Sequence, residues 1–152
     1  MGSEMCIRDR GYTALAVDLY DGKSATQVRD AFALSTNLSS NEERGLANLQ
    51  QAFDYLKTEM DATKIGVIGW CLGGKWSLKT ALMLPGEIDA TVIYYGSLTD
   101  DKDKLATLDM PIIGFVGTKD PLHKEFIQFD SDMNELGKNT NIHIYELSLI
   151  HI

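Results

Sequence analysis

The sequence predicts an α/β chain: a three-layer α/β/α sandwich around a mainly parallel sheet of about five strands. Three observations carry that prediction. Short apolar runs alternate with amphipathic stretches about five times between Gly11 and Tyr145. Such alternation implies right-handed crossovers, hence parallel strands with helices packed on them. The run KIGVIGW, Lys64 to Trp70, is apolar at successive positions, as a strand covered on both faces must be. Finally, no internal repeat, low-complexity tract or linker interrupts the 152 residues, so one α/β unit is expected.

Each element has its own justification. GYTALAVDLY (11–20) is a mostly apolar run closed by Asp21-Gly22, which reads as a buried strand and a turn. SATQVRDAFALS (24–35) is weakly helical. The segment 39–60 then places Leu46, Leu49, Phe53, Leu56 and Met60 three or four apart, the signature of an amphipathic helix. Ser40 and Glu43 stand at capping-box spacing at its start. KIGVIGW is the next strand, followed by the helix GGKWSLKTALML, which Pro85 and Gly86 stop. DATVIYYG (89–96) is a strand, and DDKDKLATLD (100–109) a polar, helical connection with a solvated face. MPIIGFVGTKDP (110–121) is a strand closed by a Gly/Asp/Pro turn. In 123–139 a stripe of Phe126, Phe129, Met133 and Leu136 runs to Gly137, a helix stop. NIHIYEL (141–147) is the last strand. In sheets of this kind ligands bind outside the carboxyl ends of the strands.

Composition narrows the function. Apolar residues are 44% and charged residues 24%, ordinary for a globular domain. Acids outnumber bases 22 to 14, and the net charge of −8 repels phosphate backbones and anionic lipid. Nucleic acid and membrane are therefore not expected partners. No apolar run approaches the ~18 residues of a membrane span, and MGSEMCIRDR has no apolar core of a signal peptide. The two cysteines, Cys6 and Cys71, form no CxxC pair and no metal-spaced cluster with histidine. Free thiols in a reducing, cytoplasmic compartment are the expectation, with no metal site.

The stretch KIGVIGWCLGGKWS, Lys64 to Ser77, admits three chemistries. Gly69 to Lys75 satisfies G-x-x-x-x-G-K, but the magnesium-holding Ser or Thr of a P-loop is replaced by Trp76, with Ser77 one place late. A dinucleotide-binding turn needs glycine at 69, 71 and 74. The middle position is Cys71, whose side chain would block the pyrophosphate. The third chemistry uses that side chain. Small-x-nucleophile-x-small turns a strand straight into a helix with the nucleophile projecting into the cleft. Gly69 and Gly73 flank Cys71 at −2 and +2 and are expected to let strand and helix pass closely. Cys71 then lies at a helix N-terminus, which favours thiolate, and the Leu72 N–H is placed to stabilise an oxyanion. The competing reading of Cys71 is a small buried residue at a tight turn.

Taken together, GYTALAVDLYDGKSAT, KIGVIGWCLGGKWSL, DATVIYYGSL, MPIIGFVGTKDP and IHIY resemble, in order and spacing, the dienelactone hydrolase family. The resemblance covers about residues 10–146 and implies a partial α/β-hydrolase fold. It further implies a cysteine hydrolase acting on small-molecule lactones or esters without cofactor or metal. Carried over by residue, it makes Cys71 the nucleophile and Asp120 the acid that orients the catalytic histidine. The order nucleophile, acid, histidine is the one this fold uses. Asp120 also reads as a turn residue before Pro121. Tyr95 would border the substrate pocket, with a packed aromatic as the alternative.

Two parts of the family pattern are not matched. The family's Gly-His pair after the last strand is absent: IHIY runs on into ELSLIHI, with His151 one place out of step. His143 alternates along a strand and His123 follows Asp120 by three, positions that read as structural or surface. Nothing before Gly11 matches the family's earlier glutamate or the loop that gives the second oxyanion N–H. The expectation is one incomplete domain, truncated at both ends, with 1–9 and 147–152 non-native, no catalytic histidine and little activity. The alternatives are a non-catalytic α/β scaffold or binding domain that has lost its chemistry, and, behind it, a P-loop-like nucleotide-binding domain. Oligomeric state is left open.

Overall fold

A computed structural model describes residues 7–146. Cys6, His151 and the terminal segments 1–6 and 147–152 lie outside the described residues. The chain divides into an N-terminal unit ending at Asp61 and a C-terminal unit starting at Ala62.

The C-terminal unit holds the sheet. Strands β1 (Gly66–Trp70), β2 (Ala90–Tyr94), β3 (Ile112–Gly117) and β4 (Thr140–Tyr145) run parallel in the order β1-β2-β3-β4. The α/β architecture is as expected, but the described residues hold four strands instead of about five. The missing one is 11–20. That segment forms no strand, and Tyr12 and Leu15 are exposed. Apolar, β-prone residues become a strand only when a ladder partner and a covering layer exist. All four paired strands belong to the other unit. What 11–20 does form is its closing turn, where the Asp18 carboxylate accepts the N–H groups of Tyr20 (2.8 Å) and Gly22.

The N-terminal unit also holds a helix pair, α1 (Val28–Ser40) and α2 (Glu42–Thr58), in contact with each other. The expected capping box does not form, because Ser40 is the last residue of α1. Only Asn41 separates the helices. Its N–H donates back to Asn37 O (3.1 Å) and Leu38 O (3.2 Å), and its side-chain amide donates to Asn37 O at 2.9 Å. The helical ladder of α1 thus takes the position the box needed. The Arg44–Asp21 ion pair and an Asn48 side-chain bond to Asp18 O tie the turn to α2. Leu46, Leu49, Phe53 and Leu56 are half-buried, and Met60 is exposed.

In the C-terminal unit α3 (Leu72–Met83) joins β1 to β2, the single turn α4 (Lys102–Leu105) lies between β2 and β3, and α5 (His123–Glu135) joins β3 to β4. Gly69, Ile93, Gly114 and Ile142 stand opposite one another across the four strands. A side chain on Gly69 would run into α3, and one on Gly114 would meet Phe126 of α5. Both helices therefore cover the same sheet face. Between them lies a core of Ile93, Leu105, Leu108, Ile112, Val116, Phe126, Phe129 and Met133, all buried. A buried carboxylate, Asp132, fastens α4 to α5 by accepting from Lys102 Nζ (3.0 Å) and Gln128 Nε2 (2.9 Å).

Among the described residues, the opposite face carries none of this unit's helices. A row of aromatic rings crosses all four strands in register there: Trp70, Tyr94, Phe115 and His143. Neighbouring centroids are 5.3, 4.4 and 5.0 Å apart with nearly parallel planes. Ile68 and Ile113, on the next row, are 44% and 36% exposed.

Candidate active site

The site begins where β1 ends. Trp70 is its last residue and Leu72 the first of α3, so Cys71 alone reverses the chain. It does so at φ 55, ψ −117, a conformation L-residues seldom adopt and one that costs of order 1–3 kcal/mol. Two hydrogen bonds hold it: Cys71 N–H to Tyr94 O (2.9 Å) and Lys75 N–H to Cys71 O (3.2 Å). The second is the first rung of α3. The amides of Leu72, Gly73 and Gly74 precede it and form the positive end of the helix. The Cys71 thiol is free and exposed, so it is not a packing residue.

Glycine makes the turn possible, though not quite as the spacing suggested. A Cβ on Gly69 would lie 2.1 Å from Gly73 O and 2.7 Å from Ser77 Oγ, so only hydrogen fits. A Cβ on Gly73 would meet nothing within 4 Å. Residue 73 matters here through its backbone carbonyl, which excludes a Cβ at Gly69, and not through a missing side chain. The second crowded glycine is Gly74, whose Cβ would lie 2.9 Å from Tyr94 O and 3.0 Å from Gly96 Cα. Gly96 is crowded in return, with a Cβ only 2.3 Å from Lys75 N. The first turn of α3 thus rests directly on the backbone that follows β2. The GG and YYG pairs carried the signal, but which glycines touch is a tertiary fact.

Tyr95 follows the last residue of β2 and also takes a positive φ, 38. Its N–H donates to Phe115 O at 2.8 Å. Loss of water pushes its phenol pKa above the ordinary tyrosine value, and repulsion from negative charge on Cys71 and Asp120 adds to the rise. Asp120 sits in the turn after β3. Its N–H donates to Gly117 O (3.0 Å) and its Oδ1 accepts the Leu122 N–H (2.9 Å), so it does serve the turn. Cys71, Tyr95 and Asp120 therefore follow the carboxyl ends of three adjacent parallel strands, where ligands bind in such sheets.

The histidines stand elsewhere. His123 opens α5 and its backbone N–H donates to Asp120 O at 3.1 Å. The His143 ring stacks on Phe115 on the sheet face opposite α3 and α5. Among the described residues no imidazole is hydrogen-bonded to the Asp120 carboxylate, whose recorded partner is Leu122 N–H. The Glu125 carboxylate accepts the Leu98 N–H, pinning the loop after Tyr95 to α5. That contact spans 27 residues and was not foreseen. Among the described residues no group of three His, Cys, Asp or Glu is placed to hold a metal ion, and no helix is long and apolar enough to cross a membrane.

The model of the dienelactone hydrolase family matches residues 4–148. The chain belongs to the dienelactone hydrolase family. Over 132 residues it is 33% identical to Protein usf of Aquifex pyrophilus, covering 84% of this chain and 55% of that protein. It is 28% identical over 123 residues to the carboxymethylenebutenolidase of Pseudomonas putida, covering 74% and 50%. The chain thus spans about half the length of the curated relatives it matches. A crystal structure of a dienelactone hydrolase-like promiscuous phosphotriesterase from metagenomic libraries aligns at a TM-score of 0.77 and 18% identity. It covers 92% of this chain and 60% of that one, a likeness of fold. Within this dienelactone hydrolase framework, Cys71, Tyr95 and Asp120 follow the carboxyl ends of β1, β2 and β3.

Proposed function

We propose that this chain carries the nucleophilic half of a cysteine hydrolase acting on small lactones or esters. One observation supports the reading above the others: an exposed thiol on a strained, single-residue turn at the N-terminus of α3. In the scheme, the Cys71 thiolate attacks the substrate carbonyl carbon. A C–S bond forms and the carbonyl π pair moves to oxygen, where the Leu72 N–H stabilises the charge. Collapse breaks the C–O bond, and the alkoxide takes up the proton that the thiol gave to the base. Water then cleaves the thioester, giving the acid and restoring the thiol. Asp120 would orient the imidazole that moves these protons, and Tyr95 would line the pocket. The activity of the whole protein, and membership of about 10–146 in one larger domain, belong to the same proposal.

Treatment with p-nitrophenyl acetate followed by peptide mapping tests this. Acetylation concentrated on Cys71 and lost in Cys71→Ala supports it; equal acetylation of Cys6 and Cys71 overturns it. The absence of an Asp120-bound imidazole among the described residues favours a second reading, a scaffold that kept the fold and lost turnover. Sustained p-nitrophenolate release that depends on Cys71 argues against the scaffold, and none argues for it.

A further inference from the structure

We propose that Glu125 is a positioning residue of the site: by holding the segment 97–101 over the end of β2, it fixes one wall of the acyl pocket and limits the acyl group that reaches Cys71. The proposal rests on Cys71 being the nucleophile.

Topology puts 97–101 in the middle of the site. β2 lies between β1 and β3 in the sheet. The chain leaving β2 therefore emerges between the Cys71 turn, after β1, and the Asp120 turn, after β3. At its start this chain is clamped to the nucleophile's side. Tyr94 O accepts the Cys71 N–H at 2.9 Å, and a Cβ on Gly96 would lie 2.3 Å from Lys75 N in the first turn of α3. Tyr95 sits inside that clamp, with its own N–H given to Phe115 O.

Two residues beyond Gly96, the Leu98 N–H donates to the Glu125 carboxylate. Two residues span at most ~7 Å, so α3 and α5 are gripped at neighbouring points of one short strap. Glu125 is the third residue of α5, and Leu122 is the N-cap. A glutamate there ordinarily turns back to the N-cap N–H. Here the Leu122 N–H is already given to Asp120 Oδ1 at 2.9 Å, and Glu125 reaches across to the strap instead. One helix start thus holds the acid with one bond and the wall with the next. Among the described residues, no other recorded hydrogen bond ties 97–100 to another element. Beyond the strap, α4 is fastened to α5 through Lys102 and Asp132. Freeing Glu125 therefore releases the wall while both of its ends stay anchored.

Three reactions of Cys71 test this: acylation by p-nitrophenyl acetate, acylation by p-nitrophenyl hexanoate, and alkylation by iodoacetamide. Glu125→Ala removes the acceptor, and the hexanoate-to-acetate rate ratio should rise by on the order of tenfold, with alkylation changed by less than about twofold. Glu125→Gln keeps a carbonyl acceptor and should restore the parent ratio, which a loss of folding stability alone would not explain. A ratio that is unchanged or lowered in Glu125→Ala, an equal change in all three rates, or a Glu125→Gln variant as altered as Glu125→Ala overturns the proposal. If Glu125→Ala does not fold, Glu125→Asp, one methylene short of the strap, carries the same expectation. Tryptophan fluorescence verifies folding, since Trp70 and Trp76 flank the Cys71 turn. Cys71→Ala is the separate control: acylation that survives it defeats the nucleophile assignment itself, whatever the Glu125 variants do.

Discussion

Substituting alanine at the two glycines that flank Cys71 should have opposite effects. In Gly69→Ala the new Cβ falls 2.1 Å from Gly73 O and 2.7 Å from Ser77 Oγ. Both are held in place, because Ser77 Oγ donates to that same carbonyl at 3.0 Å. Relieving the clash means moving α3 off β1 by about an ångström or more. Overpacking of this kind costs ~1–3 kcal/mol, and loss of the Ser77 bond adds ~1 kcal/mol, so ~3 kcal/mol is expected. With a urea m-value of ~2 kcal/mol/M, the midpoint falls by ~1.5 M. In Gly73→Ala the Cβ enters open space inside a helix. Alanine's helix preference and the loss of unfolded-state freedom then stabilise by up to ~1 kcal/mol, raising the midpoint by up to ~0.5 M. Urea titration followed by tryptophan fluorescence reads the region directly, as the two tryptophans are Trp70 and Trp76. A Gly73→Ala variant as damaged as Gly69→Ala, or a Gly69→Ala variant within ~0.5 kcal/mol of the parent, would refute the steric account of the turn.

Two further outcomes follow from the packing. Asp132 is held below its ordinary pKa of 3.8 first by the hydrogen bond from Lys102 and also by Gln128, against the opposing effect of burial. A lowered folded-state pKa gives stability that is complete above the unfolded value and is lost as pH falls through the folded one. The loss therefore lies below about pH 4. Denaturation midpoints measured between pH 7 and pH 2 should fall less steeply on acidification in Asp132→Asn than in the parent; identical acid slopes contradict this. On the sheet face opposite α3 and α5, Phe115→Ala removes stacking on Tyr94 and His143, at 4.4 and 5.0 Å. A loss of ~2 kcal/mol in urea titration is expected, and a loss below ~0.5 kcal/mol would mean that the ring row contributes little.

The order of strands and helices in the C-terminal unit was legible because each apolar run is short, bounded by turn residues and followed by a stripe of helical period. Cys71 was legible for a different reason: it stands where a dinucleotide-binding turn needs glycine, while Trp76 excludes the P-loop, and glycines flank it at −2 and +2. What escaped detection depends on partners. Residues 11–20 have strand composition, but composition does not supply the neighbour that makes a ladder. Ser40 has capping chemistry, but the preceding helix extends over it. Gly73 and Gly74 are adjacent and chemically identical, and only the approach of Gly96 tells them apart. The positive φ of Tyr95 likewise comes from the clamp around it, since tyrosine itself disfavours that region.

The most direct measurement of the central claim is the rate of Cys71 alkylation by iodoacetamide in a Cys6→Ser background, native against urea-unfolded at the same neutral pH. The unfolded chain reports an ordinary, fully accessible cysteine. A thiol presented at a helix N-terminus on a strained turn should react faster when folded. A native rate equal to or below the unfolded one would mean that the fold shields or ignores this sulfur, and the hydrolase mechanism would lose its nucleophile.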